Sequence, residues 1–167
     1  MKKLLTICLL IATAFTVNAQ DTKPTKEETV DFINRTTAQS IGNQYRFGTL
    51  TETKFTYDSY SFTQTAQITD TDIHIQMETY SGILWESLNP EWIKKINVRE
   101  GDATAGVSIA FSKKIKYEDA YTGIETKIEY KNVLEIIIPI EKFESVKKAC
   151  LRLSEIAKEE NKDPFAN

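Results

Sequence analysis

The chain has one histidine, His74, and two cysteines, Cys8 and Cys150, far apart in sequence. A single histidine rules out a His-rich zinc site, and any Ser–His or Cys–His pair would have to use His74. That residue stands between Ile73 and Ile75, so on a strand it points away from their shared face and reads as exposed. Cys8 lies in an N-terminal apolar run, which leaves Cys150 as the one cysteine of the body of the chain. A lone cysteine forms no internal disulfide, so the fold must stand on its hydrophobic core. The chain also lacks a Gly-rich phosphate loop, a Cys-x-x-Cys pair and a Gly-x-Ser-x-Gly elbow, and nothing in it implies a cofactor or a metal. Its four prolines are scattered, with no linker, internal repeat or low-complexity tract. Basic residues are outnumbered, 21 against 24 acidic, which disfavours nucleic acid phosphates and anionic lipid as partners.

Residues 1–19 have the layout of a signal peptide. Lys2 and Lys3 form a basic start, Leu4 to Val17 an apolar core, and Val17-Asn18-Ala19 a small-x-small cleavage pattern. A lipoprotein reading of Cys8 is weaker, because Ile7 stands where a small residue belongs. Cleavage after Ala19 removes two lysines and no acid, taking the net charge from −3 to −5. No later stretch reaches membrane-spanning length. The expected organisation is a flexible leader at 20–24, one globular domain at 25–160 and a short polar tail at 161–167, exported to the periplasm or secreted.

Thr25-Lys26-Glu27-Glu28 has the capping-box spacing and predicts a helix to about Gln39, with Val30, Ile33 and Thr37 on one face, Ile41 just beyond and Phe32 off it. Asn34-Arg35-Thr36 is a glycosylation sequon, read as a chance motif on a helix. Gly42-Asn43 breaks the helix, and the period then changes to two. Tyr45 and Phe47 alternate, as do Phe55 and Tyr57. Tyr60, Phe62, Ala66 and Ile68 share one parity, with Gln64 the one polar member, whereas Ile73, Ile75 and Met77 share the other. This switch across Asp70-Thr71-Asp72 predicts a hairpin with both apolar sets facing the core. Residues 82–92 have no clean period, and Asn89-Pro90-Glu91 reads as a turn or a single helical turn. Ile93, Ile96 and Val98 differ in parity, so a strand there needs a bulge or an early start. Turns are expected at 100–102 and 119–123, flanking a strand that carries Val107, Ile109, Phe111, Ile115 and Tyr117.

After Ile128 and Tyr130, the β-branched run Val133–Ile140 predicts a strand covered on both faces, with Pro139 marking its end or an edge position. An amphipathic helix follows from about Glu141, with Phe143, Val146, Ala149, Cys150, Leu153, Ile156 and Ala157 in one stripe about 140° wide and Leu151 off it. The expected fold class is α+β: an N-terminal helix, six or seven mostly antiparallel strands, and a C-terminal amphipathic helix packed on the sheet. From about Gln44 to Glu160 this architecture resembles the pleckstrin-homology-like roll, without a residue motif to carry the likeness. A flat sheet with both helices on one face is the rival.

Each chemistry-bearing group has a plain structural reading. Asp70-x-Asp72 begins like a calcium loop, but Ile75 and Ser81 occupy the positions that need Gly and Glu. Glu118-Asp119 and Glu100-x-Asp102 are acidic pairs in loops, and Lys113-Lys114-x-Lys116 with Lys94-Lys95 reads as a solvated strip. Cys150, on the dry stripe of the last helix, reads as buried and inert. The aromatics with a polar handle are the most suggestive set, and Trp85, Trp92 and Tyr80 are the candidate ligand- or partner-binding residues. The expected role is a non-catalytic binding or accessory protein of the bacterial cell envelope, with a small ligand or an envelope protein as partner. The alternatives are a small carboxylate-dependent hydrolase and a structural partner in an envelope complex.

Overall fold

The structure is a computed structural model that describes residues 23–45, 48–56, 60–69, 73–98 and 101–162; for Tyr45, Thr69, Ile73 and His74 it describes the backbone alone. The signal-peptide segment, the turn at 70–72 and the side chain of His74 therefore lie outside the described residues.

Helix α1 spans Lys26–Ala38 and starts as its sequence requires. The Glu28 amide donates to Thr25 Oγ1 at 3.2 Å, and the Thr25 amide donates to Glu28 Oε2 at 2.8 Å, so two orphan N–H groups are satisfied reciprocally. Its buried face is Thr29, Val30, Ile33, Thr36 and Thr37, three of the five threonine. Those hydroxyls stay paired when dry: Thr29 donates to the Thr25 carbonyl, Thr36 to that of Phe32 and Thr37 to that of Asn34. Ile41, expected to extend the stripe, is exposed, and Phe32 packs against the core from its rim.

Seven strands follow: β1 Gln44–Tyr45, β2 Gly48–Thr56, β3 Ser61–Thr69, β4 Ile73–Ser81, β5 Leu88–Ile96, β6 Thr104–Tyr121 and β7 Lys127–Pro139. All pairings are antiparallel, in the order β1-β2-β3-β4-β6, with β5 and β7 also on β6. A short 3-10 turn, Ile140–Lys142, leads into helix α2, Phe143–Glu160. The chain is α+β, and its sheet curls into a half-barrel against which α2 packs, in place of the flat rival.

The curl has a cause in β6. Its first half pairs with β5 and its second half with β4, while β7 follows it throughout. Between Ala110 and Ile115 the β6–β7 register slips, and three extra residues on β6 turn the ladder. Gly48 marks another close approach: a Cβ there would lie 2.5 Å from the Gln67 carbonyl oxygen.

The concave face carries cross-strand rows. One is Phe55–Phe62–Tyr80–Tyr117–Glu129; beside it run Thr53–Gln64–Glu78–Asp119–Lys127. The expected β3–β4 hairpin forms, but the face expected of β4 is overturned. Ile75 and Met77 are 49% and 44% exposed, while Gln76, Glu78 and Tyr80 are buried. Thr69 pairs with Ile73, so each paired position on β4 has the parity of its partner on β3. In this register the even face of β3 continues onto the even face of β4, Phe62 beside Tyr80 and Gln64 beside Glu78.

The core lies between this curled face and α2. Val107, Ile109, Phe111, Ile115 and Tyr117 of β6 and Leu134, Ile136 and Ile138 of β7 meet Val146, Cys150 and Leu153, all buried. The expected helical stripe is buried in full, Cys150 included. Ile137, on the other face of β7, packs against Leu50 and Ala66, so this strand is covered on both sides as its composition implies. The helix ends are clasped together. Lys26 Nζ meets Glu160 at 2.8 Å and the Tyr60 hydroxyl at 2.6 Å, joining the start of α1 to the end of α2.

Residues 82–92 resolve into a 3-10 turn, Trp85–Ser87, and the bulged first half of β5. Pairing jumps from Leu88–Phe111 to Ile93–Ile109, which leaves Asn89-Pro90-Glu91 looped out of register. Asn89 Oδ1 accepts from the Glu91 amide at 3.2 Å, so the turn chemistry read from the sequence is present inside a bulge. The expected turn at 119–123 starts later, since β6 runs to Tyr121.

Candidate binding cleft

The three aromatic candidates are not brought together on one surface. Trp85 is enclosed, with edge-on contacts to Phe55 and Phe111 at centroid distances of 5.9 and 5.6 Å. Tyr80 is enclosed on the concave face, 5.0 Å from the ring of Tyr117. Trp92 alone is outside, 57% exposed on the β5 bulge, with Lys94 Nζ 5.2 Å from its ring centroid.

The described residues do form an open cleft of about 790 Å³, away from all three. One wall is Asn43 and Gln44, at the turn into β1. A second is the end of β5 and the following loop, from Ile96 to Val98 and Gly101 to Ala103. Its floor is Thr104 to Gly106 of β6 with Glu135 and Ile137 of β7. Each wall is held by backbone bonds. The Leu50 amide donates to Asn43 O at 2.9 Å, the Gly42 amide to Leu50 O at 2.8 Å, and the Ile140 amide to Ala103 O at 3.1 Å. Asn97 holds φ at +54°, a left-handed conformation that asparagine tolerates better than most side chains. Gly106 keeps the floor low: a Cβ would sit 2.8 Å from Ile96 Cγ1.

Among the described residues, the lining mixes amides, two carboxylates and one hydroxyl with the apolar Ile96, Val98, Ala105 and Ile137. The amides of Asn43, Gln44 and Asn97 and the Thr104 hydroxyl can each donate and accept, which suits a polar ligand with hydroxyl or amide groups.

Behind the floor lies a buried polar network that sequence reading missed. Gln64 Nε2 donates to Glu78 Oε2 at 2.8 Å and to the Glu135 carbonyl at 3.3 Å. The Tyr117 hydroxyl donates to Glu78 Oε1 at 2.5 Å, and Lys131 Nζ lies 3.3 Å from the Tyr117 ring centroid. Gln76 Nε2 donates to Asp119 Oδ1 at 3.0 Å beside it. Glu78 is 1% exposed, so these donors stand in for lost water. Burial first, then the bond to Glu78 and its charge, push the Tyr117 phenol well above its usual range. Because Gln64 reaches both Glu78 and the backbone of Glu135, the network fixes the strand whose side chains floor the cleft. The available signal was Gln64 itself, a polar residue on an otherwise apolar face.

Asn34, the sequon residue, bonds the backbone of Phe55 both ways: Nδ2 donates to its carbonyl at 2.9 Å and Oδ1 accepts from its amide at 2.6 Å. Its amide therefore ties α1 to β2. Burial raises the Cys150 thiol from 9.0 to about 12, the wrong direction for a nucleophile. Among the described residues no three His, Cys, Asp or Glu side chains group to hold a metal, and no helix is long and apolar enough to cross a membrane. Compared with family models, with curated proteins and with solved structures, the chain gives no match.

Proposed function

We propose that this chain is an exported, non-catalytic binding or accessory domain of the bacterial cell envelope, with the cleft between β1, the β5–β6 loop and β7 as its binding surface. The observation that carries the reading is the cleft: its volume falls in the range of about 300–1,000 Å³ usual for small-ligand sites, and backbone hydrogen bonds hold its walls in place. Its amide and hydroxyl lining supports a polar ligand that both donates and accepts hydrogen bonds. The basic start, apolar run and Val17-Asn18-Ala19 of the leader support export. Trp92 with Lys94 is a second, smaller contact surface on the β5 bulge.

Native mass spectrometry of the protein, exported with its own leader and equilibrated with a polar small-molecule extract, tests the cleft. A bound small mass that disappears in Ala103→Trp, which fills the cleft from an exposed position, is the expected result. A protein free of ligand throughout, or a ligand indifferent to that substitution, overturns the cleft assignment. N-terminal sequencing of the same sample tests export separately, with Gln20 expected as the first residue.

A further inference from the structure

Strand β7 has an open side. Among the described residues it pairs with β6 alone, so Lys127–Asn132 presents backbone donors and acceptors along an edge. Two large apolar side chains stand on this edge, Ile128 at 54% and Tyr130 at 65% exposure. Around them the charges alternate in sign: Glu125 just before the strand, then Lys127, Glu129 and Lys131. An exposed edge with apolar side chains is a template for another strand, and the charge order states which one.

Consider a second β7 laid antiparallel on the first. Centred on Glu129, the pairing opposes Glu129 with Glu129 and Lys127 with Lys131, so every charged pair repels. Centred on Ile128, it opposes Lys127 with Glu129, twice by symmetry, stacks Ile128 on Ile128, and brings Glu125, two residues before the strand, toward Lys131. Centred on Tyr130, only Glu129 and Lys131 match, and Lys127 faces Val133. The segment is therefore self-complementary in one register above the others. Glu129 already meets Lys127 at 2.5 Å and Lys131 at 3.4 Å along its own strand, but such exposed pairs hold little energy and each lysine has further donors to share.

We propose that the β7 edge is a homodimer interface, in which two copies pair antiparallel about Ile128 and join their half-barrels into one continuous sheet. The lysines that would repel an unrelated strand here select a second copy of the same one.

Light-scattering mass across a concentration series tests this. The expected result is a concentration-dependent dimer, weakened about tenfold or more by Glu129→Lys, which opposes lysine with lysine. Adding Lys127→Glu to Glu129→Lys makes every charged pair opposite in sign in the Ile128 register alone and should regain the dimer. Urea unfolding of each variant shows that the folds are comparable, as expected for exposed positions. A monomer at every concentration, or a dimer indifferent to Glu129→Lys, overturns the interface. Loss of the dimer without recovery in the charge swap overturns the register and with it the proposal.

Discussion

Removing the hydroxyl of Tyr117 probes the buried network directly. Tyr117→Phe keeps the ring that packs on Tyr80 and under Lys131 and deletes only the bond of 2.5 Å to Glu78 Oε1. A hydrogen bond to a charged partner contributes about 1.5–3 kcal/mol, and water has poor access to replace it at a carboxyl 1% exposed. The expected loss is about 2–3 kcal/mol. Glu78→Gln leaves the volume unchanged but offers an amide where Tyr117 and Gln64 both donate, so it should cost about 1–3 kcal/mol. The double variant should cost less than the two singles added, with a coupling of about 1 kcal/mol or more, because both remove the same bond. Urea unfolding followed by circular dichroism measures all four corners, with an unchanged m-value confirming that the end states are comparable. A Tyr117→Phe cost below about 0.5 kcal/mol, or no coupling, would refute the network as a source of stability. A pH series adds a check. The phenol titrates near 10 when unfolded and well above that when folded, so its contribution is intact below pH 10 and is lost as pH rises past it. Tyr117→Phe should flatten that alkaline limb.

Cys150 adds an earlier limb: its thiol titrates near 9.0 in the unfolded chain and at about 12 when folded, so stability should fall between those values, by up to about 4 kcal/mol. Cys150→Ala should remove this limb, and slow labelling of the native thiol at neutral pH is expected from its burial. Leu153→Ala, on the buried stripe of α2, should cost about 2–5 kcal/mol in urea unfolding. Ile75→Lys should change stability by less than about 0.5 kcal/mol, since this half-exposed side chain lies on the outer face of β4. Tryptophan emission should be composite, with Trp92 quenched by acrylamide and Trp85 protected; Trp92→Phe should leave only the blue-shifted, protected component.

Helix α1 was legible because its signals are local. A threonine and a glutamate three apart cap the same turn whatever packs above them, and Thr25 and Glu28 do so. The stripe of α2 was legible because seven positions at helical spacing leave one way to bury them. Val107 to Tyr117 was legible as a strand for the equivalent reason at period two. The sequon at Asn34 and the irregular stretch before Ile93 were visible as patterns, but their uses, a tie to Phe55 and a bulge over β6, depend on strands distant in the chain.

The sequence by itself determined the two helices, the existence of the β3–β4 hairpin, the α+β class and the burial of Cys150, because each follows from spacing within one element or between neighbours. Tertiary structure alone decided which face of β4 is inside. Alternation gives two faces without naming the dry one, and the β3–β4 register turned Gln76 and Glu78 inward, where Glu78 accepts from Gln64 and Tyr117 and Gln76 donates to Asp119. It also decided that Trp85 is enclosed while Trp92 is not, and that residues from β1, the β5–β6 loop and β7 share a cleft. Those segments meet through pairings between strands distant in the chain, β1 with β2 and β5 and β7 with β6, which no single strand's pattern contains.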